Sequence, residues 1–528
     1  MSVTARRESR RKCVGIDLGT TFSAVAHVDQ YGKPQIIPNA ESERMTPSVI
    51  LFEDFEAIVG TTARQNAVAE PEKIVDFVKR EMGKSKDRFH RAFNGRNYSA
   101  EELSALILRK LKNDAEKYLG EPITDAVITV PAYFGDTERV ATVNAGRLAG
   151  LNVLRVINEP TAAALAYGLD KLDRNETVFV FDLGGGTFDV TVMQVENHQI
   201  RMLASGGDHR LGGKDWDDVI LNWVAEEFDK QHGHNPLLDL QSYQELYNRS
   251  VAAKIQLTTR PKTSVVHSYN GKSIKVEITR TEFEDRCRPL LAKCKSICEI
   301  VLKEAKLDSP SISRVLLAGG MTRLPSIREM IREFIDVPFA EEVNPDEAVA
   351  LGAAIQGILA LLEEENRTGV QALVPHEVRS QFSSPSGELI GVTNITTHTL
   401  GVVLWNSLAG EEFVFPMIPK MTPVPAIKND RFGIAKAGMA NVTVRIVEGE
   451  STVPEECTPL GVCEVELPFP LPKGAPVELT YRYDENQVLE VVIEAYNRQS
   501  RVQIARNLGL SEAEIADATA DLRRITVV

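Results

Sequence analysis

Two short segments carry the residue types needed to bind phosphate and a metal ion. The first is IDLGTT at residues 16–21, and the second is FDLGGGTFD at residues 181–189. Glycine has no Cβ, so backbone N–H groups in such turns can approach an anion closely. The side chains of Asp17 and Asp182 can hold a hard cation or its water shell. One such turn is typical of an ordinary β-turn, but two copies predict two related lobes that close on one metal-bound nucleotide.

The elements around these turns alternate between strands and helices over residues 13–365, which is typical of an α/β protein. Residues 99–102 form a capping box that predicts the start of a helix. A third apolar strand, residues 315–318, ends in Gly319 and Gly320. The sequence therefore predicts a third strand that, like the first two, ends in a glycine-containing turn.

The pattern changes after residue 365. Residues 366–388 are polar and predict a linker. Residues 389–508 contain stretches with an apolar residue at every second position, which predict a β-rich second domain. Residues 509–528 contain a helix cap at Ser511 and predict a helix of only a few turns.

Composition excludes several functional classes. The chain has 528 residues and a net charge of −14, which argues against non-specific nucleic-acid binding. No apolar run is long enough to span a bilayer, and no signal-type segment follows the basic start, so a cytoplasmic location is expected. The six cysteines do not form a zinc pattern and are expected to be buried and reduced.

Longer motifs resemble those of the DnaK-type chaperones, the seventy-kilodalton heat-shock family. Besides the two hairpins, they are VPAYF at 130–134, VINEPTAAALAYG at 156–168 and NPDEAV at 344–349. The resemblance runs from about residue 13 to residue 520. It implies an actin-like ATPase domain of two lobes at 13–365, a linker at 366–388, a peptide-binding β-sandwich at 389–508 and a truncated lid helix at 509–528.

The resemblance also implies an ATP and Mg²⁺ site between the hairpins. Phosphoryl transfer needs charge neutralisation and an in-line nucleophile more than covalent catalysis. The residues implied to hold the phosphates are Gly19, Thr20, Thr21, Gly184, Gly185, Gly186 and Thr187, and Thr187 is also implied to be catalytic. The carboxylates implied to surround the metal and the attacking water are Asp17, Glu159, Asp182 and Asp189, the first three as metal ligands.

A further set of residues is implied to contact the nucleoside. They are Lys254, Thr258, Gly319, Gly320, Arg323 and Asp346. The Arg323 guanidinium can stack on the base. Two polar positions of the family are apolar here, Val251 and Ile255, so weaker or altered adenosine binding is expected, and a different base stays open.

A second departure concerns the catalytic lysine of the family. Arg64 is interpreted as the residue at that position. Arginine keeps the charge, but its side chain is longer, planar and forked. Placing a water needs sub-ångström accuracy, so hydrolysis is expected to fall while nucleotide binding survives.

Four residues match positions that connect the domains or bind co-chaperones. Pro131 and Arg139 match residues that relay nucleotide state, and Arg155 matches a J-domain docking residue, although a solvated surface charge is an equal alternative. Asn394 replaces the aspartate that ends the family linker. A J-domain co-chaperone and a nucleotide-exchange factor are the implied partners, and coupling between the domains stays open.

The implied clients are extended apolar segments of unfolded proteins, captured by backbone hydrogen bonds and an apolar pocket. Phe432, Ala435 and Val442 align with the groove region, although alternating apolar residues in strands are more often core. A truncated lid predicts faster peptide release.

The favoured function is therefore an ATP-dependent chaperone whose nucleotide cycle changes its affinity for peptide. An ATP-binding scaffold or regulator with little or no hydrolysis is the first alternative, favoured by Arg64, Val251, Ile255 and Asn394. A small-molecule kinase on the same ATPase superfold is the second alternative, and the β-rich tail argues against it.

Overall fold

A computed structural model describes residues 11–168, 174–369, 374–384, 386–503 and 510–528. They form two α/β lobes followed by a β-sandwich, which confirms the predicted fold. The α-helices are α1 (Thr61–Asn66), α2 (Ala100–Leu119), α3 (Asp136–Leu148), α4 (Glu159–Gly168), α5 (Gly213–His232), α6 (Leu240–Thr259), α7 (Arg280–Glu304), α8 (Pro325–Phe334), α9 (Ala348–Thr368), α10 (His376–Gln381) and α11 (Glu512–Leu522). Short 3-10 turns are Pro71–Lys73, Val78–Glu81, Pro236–Leu238, Ser309–Ser311, Gly320–Arg323 and Pro454–Glu456.

Lobe I is built on a sheet whose central strand ends in Asp17. Its strands are β1 (Cys13–Asp17), β2 (Phe22–Val28), β3 (Pro34–Ile37), β4 (Thr46–Pro47), β10 (Asp125–Val130) and β11 (Asn152–Asn158). The order is β11-β10-β1-β2-β3, and β4 pairs with β2. Val14 and Ile16 are fully buried, so the strand that carries Asp17 is fixed inside the core. A smaller sheet of lobe I contains β5 (Ile50–Phe52), β6 (Glu56–Val59), β7 (Ile74–Val75) and β29 (Thr526–Val527), beside the ribbon β8 (Arg91–Phe93) and β9 (Arg96–Tyr98).

Lobe II repeats this design around the strand that ends beside the second hairpin. Its sheet contains β12 (Glu176–Leu183), β13 (Phe188–Glu196), β14 (Gln199–Asp208), β17 (Arg314–Ala318), β18 (Phe339–Ala340), β19 (Gly391–Ile395) and β22 (Pro423–Val424). A separate ribbon consists of β15 (Lys262–Tyr269) and β16 (Lys272–Thr279). β12 pairs parallel with β17, with Asp182 opposite Ala318, so the second hairpin lies next to the turn that begins at Gly319.

The sandwich has two four-stranded antiparallel sheets. One has the order β21 (Glu411–Ile418), β20 (Leu400–Asn406), β24 (Met439–Glu448), β25 (Thr458–Leu471), and the other β23 (Ala426–Gly433), β26 (Pro476–Tyr483), β27 (Leu489–Ala495), β28 (Arg498–Gln503). Alternate residues such as Leu479, Tyr481 and Ile493 fill the core between the sheets, which is the physical origin of the period of two in the sequence.

The predicted linker at 366–388 is not a free connection where the structure describes it. α9 continues to Thr368, and α10 buries Val378 while Phe382, four residues later, lies in the same core cluster of lobe II. The polar composition of the segment hid these two apolar residues. The interdomain connection is instead β19, which pairs parallel with β14 in lobe II. The predicted boundary between sandwich and lid falls on residues 504–509, outside the described residues.

The C-terminal helix begins at the predicted cap. Ser511 accepts a hydrogen bond from the Glu514 N–H at its Oγ. The helix α11 does not act as a truncated lid in this arrangement, because it packs on α2 and α3 of lobe I. Cys13, Cys287, Cys294, Cys298, Cys457 and Cys463 are buried free thiols. Within the described parts of the chain, every helix is too short or too polar to cross a membrane.

Candidate functional site: a nucleotide cleft coupled to the sandwich

The two hairpins meet at the bottom of the cleft with no space for a larger residue. A Cβ on Gly185 would lie 1.7 Å from the Thr21 Oγ1 atom, and one on Gly186 would lie 2.4 Å from the Thr20 side chain. Gly319 has a φ of +79°, and a Cβ there would lie 2.3 Å from the Leu183 carbonyl oxygen. Glycine is therefore required where the turns of both lobes approach each other.

A cavity of about 380 Å³ lies between these turns. Most of the residues implied by the family resemblance line it. They are Asp17, Gly19, Thr20, Thr21, Arg64, Glu159, Asp182, Gly184, Gly185, Thr187, Lys254, Gly319, Gly320, Arg323 and Asp346. Gly186 lies directly behind this surface, packed against Thr20.

Asp189 is also behind the cavity wall. Its Oδ1 accepts a hydrogen bond of 3.1 Å from the Tyr133 N–H, which belongs to the loop after β10. Burial and the nearby Glu159 raise the pKa of Asp189 to about 7. Burial and Glu159 likewise raise the pKa of Asp17 to about 7, and burial with three neighbouring carboxylates raises that of Asp182. The carboxylates of the site therefore carry more negative charge than the protein's own nearby cations neutralise.

The cation at this cluster is Lys79, which the sequence reasoning missed. Lys79 is almost fully buried and its Nζ donates to the Glu159 Oε1. Burial would lower the pKa of Lys79, but the carboxylates of Glu159 and Asp17 raise it above its usual value. A signal was available, because Lys79 follows the largely apolar segment IVDFV at 74–78, of which Val75 and Val78 fold into the core.

Arg64 also lines the cavity, but the cation paired with Glu159 is Lys79, so the interpretation that Arg64 stands at the lysine position stays a prediction. The Arg64 guanidinium is 5.1 Å from the centre of the Phe22 ring. The side chain is only partly buried, and it faces the rim on which Val251 and Ile255 lie. A planar, forked cation fits this open, aromatic position better than the buried cluster.

The nucleoside end of the cavity is partly apolar, as Val251 and Ile255 predicted. Lys254 donates to the Gly213 carbonyl oxygen at 2.9 Å, and Arg323 is held by Asp346 at 2.5 Å. Thr258 does not line the cavity, because it lies one turn further along α6. Its hydroxyl donates to the carbonyl of Ile255 in its own helix at 2.6 Å.

The geometry fits a metal ion that arrives with a nucleotide. Among the described residues, no group of three or more His, Cys, Asp or Glu side chains is arranged to hold a metal by itself. Mg²⁺ usually keeps several waters and uses one or two carboxylates together with substrate phosphates. Partly buried Asp17 and buried Asp182, beside a phosphate-sized space, match that donor set.

The loop after β10 connects the cleft to the sandwich. Pro131 is buried at its start, and Arg139 is buried behind it, where Arg139 donates to the Asn158 Oδ1 at 2.5 Å and to the Phe134 carbonyl oxygen at 3.1 Å. On the other side of the loop, the Tyr133 ring lies 4.5 Å from the ring of His398, which follows β19.

The sandwich closes on this loop through a second carboxylate cluster. The Tyr483 hydroxyl donates to the Asp136 Oδ1 at 2.9 Å. Glu448 lies against Gly135, the first residue before α3, where a Cβ would be 2.4 Å from its carboxylate. Burial raises the pKa of Asp136 to about 7, and burial with Asp136 raises that of Glu448. Arg139 opposes this effect at both groups.

Other predicted interdomain residues also lie at this interface. The Asn394 Oδ1 accepts a hydrogen bond of 3.0 Å from the Thr161 hydroxyl, so asparagine at this position keeps an acceptor. Arg155 forms ion pairs with Glu363 and with Glu485 of the sandwich. Arg155 is therefore an interdomain contact in this arrangement rather than a free surface charge.

The predicted peptide-binding residues lie along β23, the following turn and β24. Phe432 and Val442 are partly buried against the sandwich core, and the Phe432 ring lies 5.4 Å from that of Phe415. Ala435 lies in the turn. Two large apolar side chains of the β20–β21 hairpin are more exposed, Trp405 at 49% and Leu408 at 100%. No sequence signal pointed to them, because they interrupt the period of two.

Comparisons with known proteins agree with this architecture. The Hsp70 protein family model matches residues 13–378 and 382–526. "Chaperone protein DnaK" of Thermotoga petrophila is 39% identical over 98% of this chain and 84% of its own length. The protein of the same name from Thermus thermophilus is 39% identical over 97% of this chain and 83% of its own, and that of Emiliania huxleyi is 38% identical over 95% and 81%. The chain therefore belongs to the Hsp70 family.

Proposed function

We propose that this protein is an ATP-dependent chaperone in which ATP binding and hydrolysis between the lobes change the affinity of the sandwich for extended apolar peptides. The observation that carries the proposal is the loop at residues 131–135. Its Tyr133 N–H donates to Asp189 beside the cleft, while its Tyr133 ring and Gly135 contact the sandwich. One short loop thus touches both the nucleotide site and the domain that binds clients.

The hairpins hold the phosphates of ATP through backbone N–H groups. Gly185 and Thr21 come from different lobes and are in contact, so a phosphate bound there is held by both lobes at once. Magnesium, when bound with the nucleotide, supplies neutralisation of the charge on the phosphate oxygens. Asp17 and Asp182 are the carboxylates that hold it, directly or through its waters.

Lys79 and Glu159 position the nucleophile. Lys79 lines the cavity and its ammonium is held by Glu159, so its other N–H groups are available to orient a water or a phosphate oxygen. Phosphoryl transfer depends on such positioning and on electrostatic stabilisation. Thr187 lines the cavity at the second hairpin, and Asp189 lies directly behind the wall.

Coupling requires that ATP bind the two arrangements of the chain with different affinity. The sandwich is docked here through β19, Tyr483 and Glu448. Tyr133 donates its N–H to Asp189. If Asp189 shifts when nucleotide binds, the loop at residues 131–135 shifts with it, and this loop is the surface on which the sandwich rests. Phe432, Val442, Trp405 and Leu408 are the residues that we assign to the peptide groove.

Peptide release triggered by ATP is the experiment that tests this function. A fluorescent extended apolar peptide is bound to the nucleotide-free chain, Mg²⁺ and ATP are added, and the release rate is followed. We expect faster release with ATP for the natural chain and for Thr258→Ala, a control outside the cavity, and no acceleration for Asp182→Asn. Binding without any ATP effect on release would contradict the gating, and absence of peptide binding would contradict the chaperone function.

No observation favours the scaffold or the kinase. The scaffold hypothesis drew on Arg64, Val251, Ile255 and Asn394, but a lysine does lie at the carboxylate cluster and Asn394 keeps its hydrogen bond. A J-domain protein and a nucleotide-exchange factor are the proposed partners. A J-domain that docks at Arg155 competes with Glu485, so Glu485→Ala should increase J-domain stimulation of ATP hydrolysis, and an unchanged stimulation would place the J-domain elsewhere.

A further inference from the structure

The C-terminal residues 510–528 are integrated into lobe I by a strand as well as by a helix. β29 adds to the edge of β6 in parallel, with Thr526 opposite Glu56. The Val59 N–H donates to the Val528 carbonyl oxygen at 3.0 Å, and the Val528 N–H donates to the Ala57 carbonyl oxygen at 3.2 Å. This pairing covers the edge strand β6, which would otherwise present unpaired backbone groups.

The helix that precedes this strand buries an apolar face in the same lobe. Ile515, Ala518 and Leu522 of α11 are buried, and they belong to the core cluster that also contains the apolar residues of α2. At the outer end of the helix, Arg147 of α3 forms a bidentate ion pair with Glu512, at 3.0 and 2.6 Å. The segment therefore shares the hydrophobic core of lobe I and does not merely touch its surface.

Polar groups of lobe I are specifically matched to the backbone of this segment. Arg109 of α2 donates to the carbonyl oxygens of Leu522 at 2.6 Å and of Ile525 at 3.3 Å. Leu522 is the last residue of α11 and Ile525 lies just beyond it, so Arg109 places a cation at the helix C-terminus, where carbonyl oxygens attract positive charge. Arg109 is itself more than half buried, and burial lowers its pKa, so its guanidinium depends on these acceptors.

The other end of the sandwich is attached to the opposite lobe. β19 is a strand of the lobe II sheet, paired with β14, and the sandwich strands follow it. The chain thus enters the sandwich from β19, touches the lobe II sheet once more at β22, and returns to lobe I at residue 510. The sandwich is held between the two lobes by its two ends.

We propose that residues 510–528 are a permanent clasp on lobe I, so that the sandwich stays attached to both lobes in every nucleotide state. Only residues 504–509 separate β28 from the clasp, and six residues span at most about 20 Å. Such a short connection keeps the effective concentration of the sandwich near its docking surface high, on the order of millimolar. Undocking is therefore limited to a short displacement, and opening of the cleft acts on the sandwich from both sides. This consequence for peptide release rests on the proposed function, whereas the clasp itself does not.

Hydrogen exchange of the Val59 amide reads the clasp directly, because its acceptor is Val528. We expect this amide to be equally protected with ADP and with ATP. Leu522→Asp should speed its exchange by at least about thirtyfold, since it places a charge in the core. Glu512→Ala, which removes only a surface ion pair, is the matched control and should change the exchange by less than about threefold.

Loss of Val59 protection in one nucleotide state would overturn the proposal, because the segment would then be leaving lobe I. Arg109→Ala serves as a second variant if Leu522→Asp does not fold, and it should give an intermediate increase in exchange. The radius of gyration provides an independent readout. The radius of gyration should increase with ADP only in Leu522→Asp and Arg109→Ala. An equal increase in the natural chain would also overturn the proposal. None of these measurements requires peptide binding or ATP turnover.

Discussion

Two clusters of buried carboxylates, one in the cleft and one between the domains, are balanced in different ways. In the cleft, Asp17 and Asp182 lie near Lys79 beside an open cavity of about 380 Å³. Between the domains, Asp136 and Glu448 lie in a closed interface. The open cluster has room for a ligand cation, whereas the closed cluster, which Arg139 offsets in part, is relieved further by a proton or by separation of the domains. The first thus favours a ligand, and the second makes docking reversible.

The largest effect is expected from removing the cation of the open cluster. Lys79→Ala should lower single-turnover ATP hydrolysis by about a hundredfold or more, because a buried, preorganised donor is lost at the reacting centre. Arg64→Ala is the matched control, since this residue lines the same cavity at its mouth, and it should change the rate by less than about threefold. Quench-flow measurement with Mg²⁺ and ATP gives both rates.

Thermal unfolding of both variants checks that the rates report chemistry. Loss of Lys79 leaves Glu159 buried without its partner, which can destabilise a chain by about 3–5 kcal/mol. The result that would reverse the assignment is a large loss in Arg64→Ala together with near-normal hydrolysis in a folded Lys79→Ala protein.

The next effect concerns the contact between the hairpins that form the open cluster. Gly185→Ala places a Cβ 1.7 Å from the Thr21 Oγ1, and overpacking of this kind costs about 1–3 kcal/mol. ATP affinity measured by calorimetry should fall about tenfold or more. Gly184→Ala is the control, because its nearest neighbour, the Thr187 carbonyl oxygen, is 3.8 Å away. Equal affinity in the two variants would mean that the hairpins do not close on the nucleotide.

The closed cluster should respond to pH. Burial raises the pKa of Asp136 to about 7 and raises that of Glu448, so the docked arrangement binds more protons than the undocked one. Docking is therefore strongest below pH 4, weakens as the pH rises, and is weakest once the pH has passed the raised pKa values. Hydrogen exchange of the β19 amides should accelerate between pH 5 and pH 7, after correction for the intrinsic rate.

Glu448→Gln removes one of the two like charges and should flatten this pH dependence. His398 does not supply it, because burial lowers its pKa to about 4 and keeps it neutral in this range. An unchanged pH profile in Glu448→Gln would assign the effect to another group.

The smallest effects are expected from single hydrogen bonds at the interface. Tyr483→Phe removes the donor to Asp136 and should weaken docking by about 1 kcal/mol. Asn394→Asp keeps the acceptor for Thr161 and should change docking by less than about 1 kcal/mol. Exchange of the β19 amides measures both, and a larger effect for Asn394→Asp would show that its charge matters.

The sequence predicted the open cluster better than the closed one. The hairpins around Asp17 and Asp182 depend on local requirements, namely glycine for close approach and an apolar strand before it, and both leave a pattern. Lys79 was not predicted as a site residue, because its role depends on where the short 3-10 turn that carries it lies relative to the cavity. Local context pointed to Arg64 instead.

The closed cluster could not be predicted, because its members come from different domains. Asp136 and Glu448 are far apart in the chain, and each alone is a common surface residue type. The positions of β19 and α11 were missed for the same reason. β19 joins the lobe II sheet and α11 packs on lobe I, and both contacts are between residues far apart in the chain. The polar composition of residues 366–388 favoured a linker, and the family resemblance favoured a truncated lid at residues 509–528.

The pairing of β29 with β6 has a consequence for biosynthesis. β6 precedes its partner β29 by most of this sequence, so it is translated long before that partner. The edge of β6 and the apolar surface beside α2 therefore stay uncovered while the rest of the sequence is made. Contacts between such distant residues form slowly, and an uncovered edge strand invites pairing with other chains. A chaperone built in this way would itself benefit from protection during its synthesis.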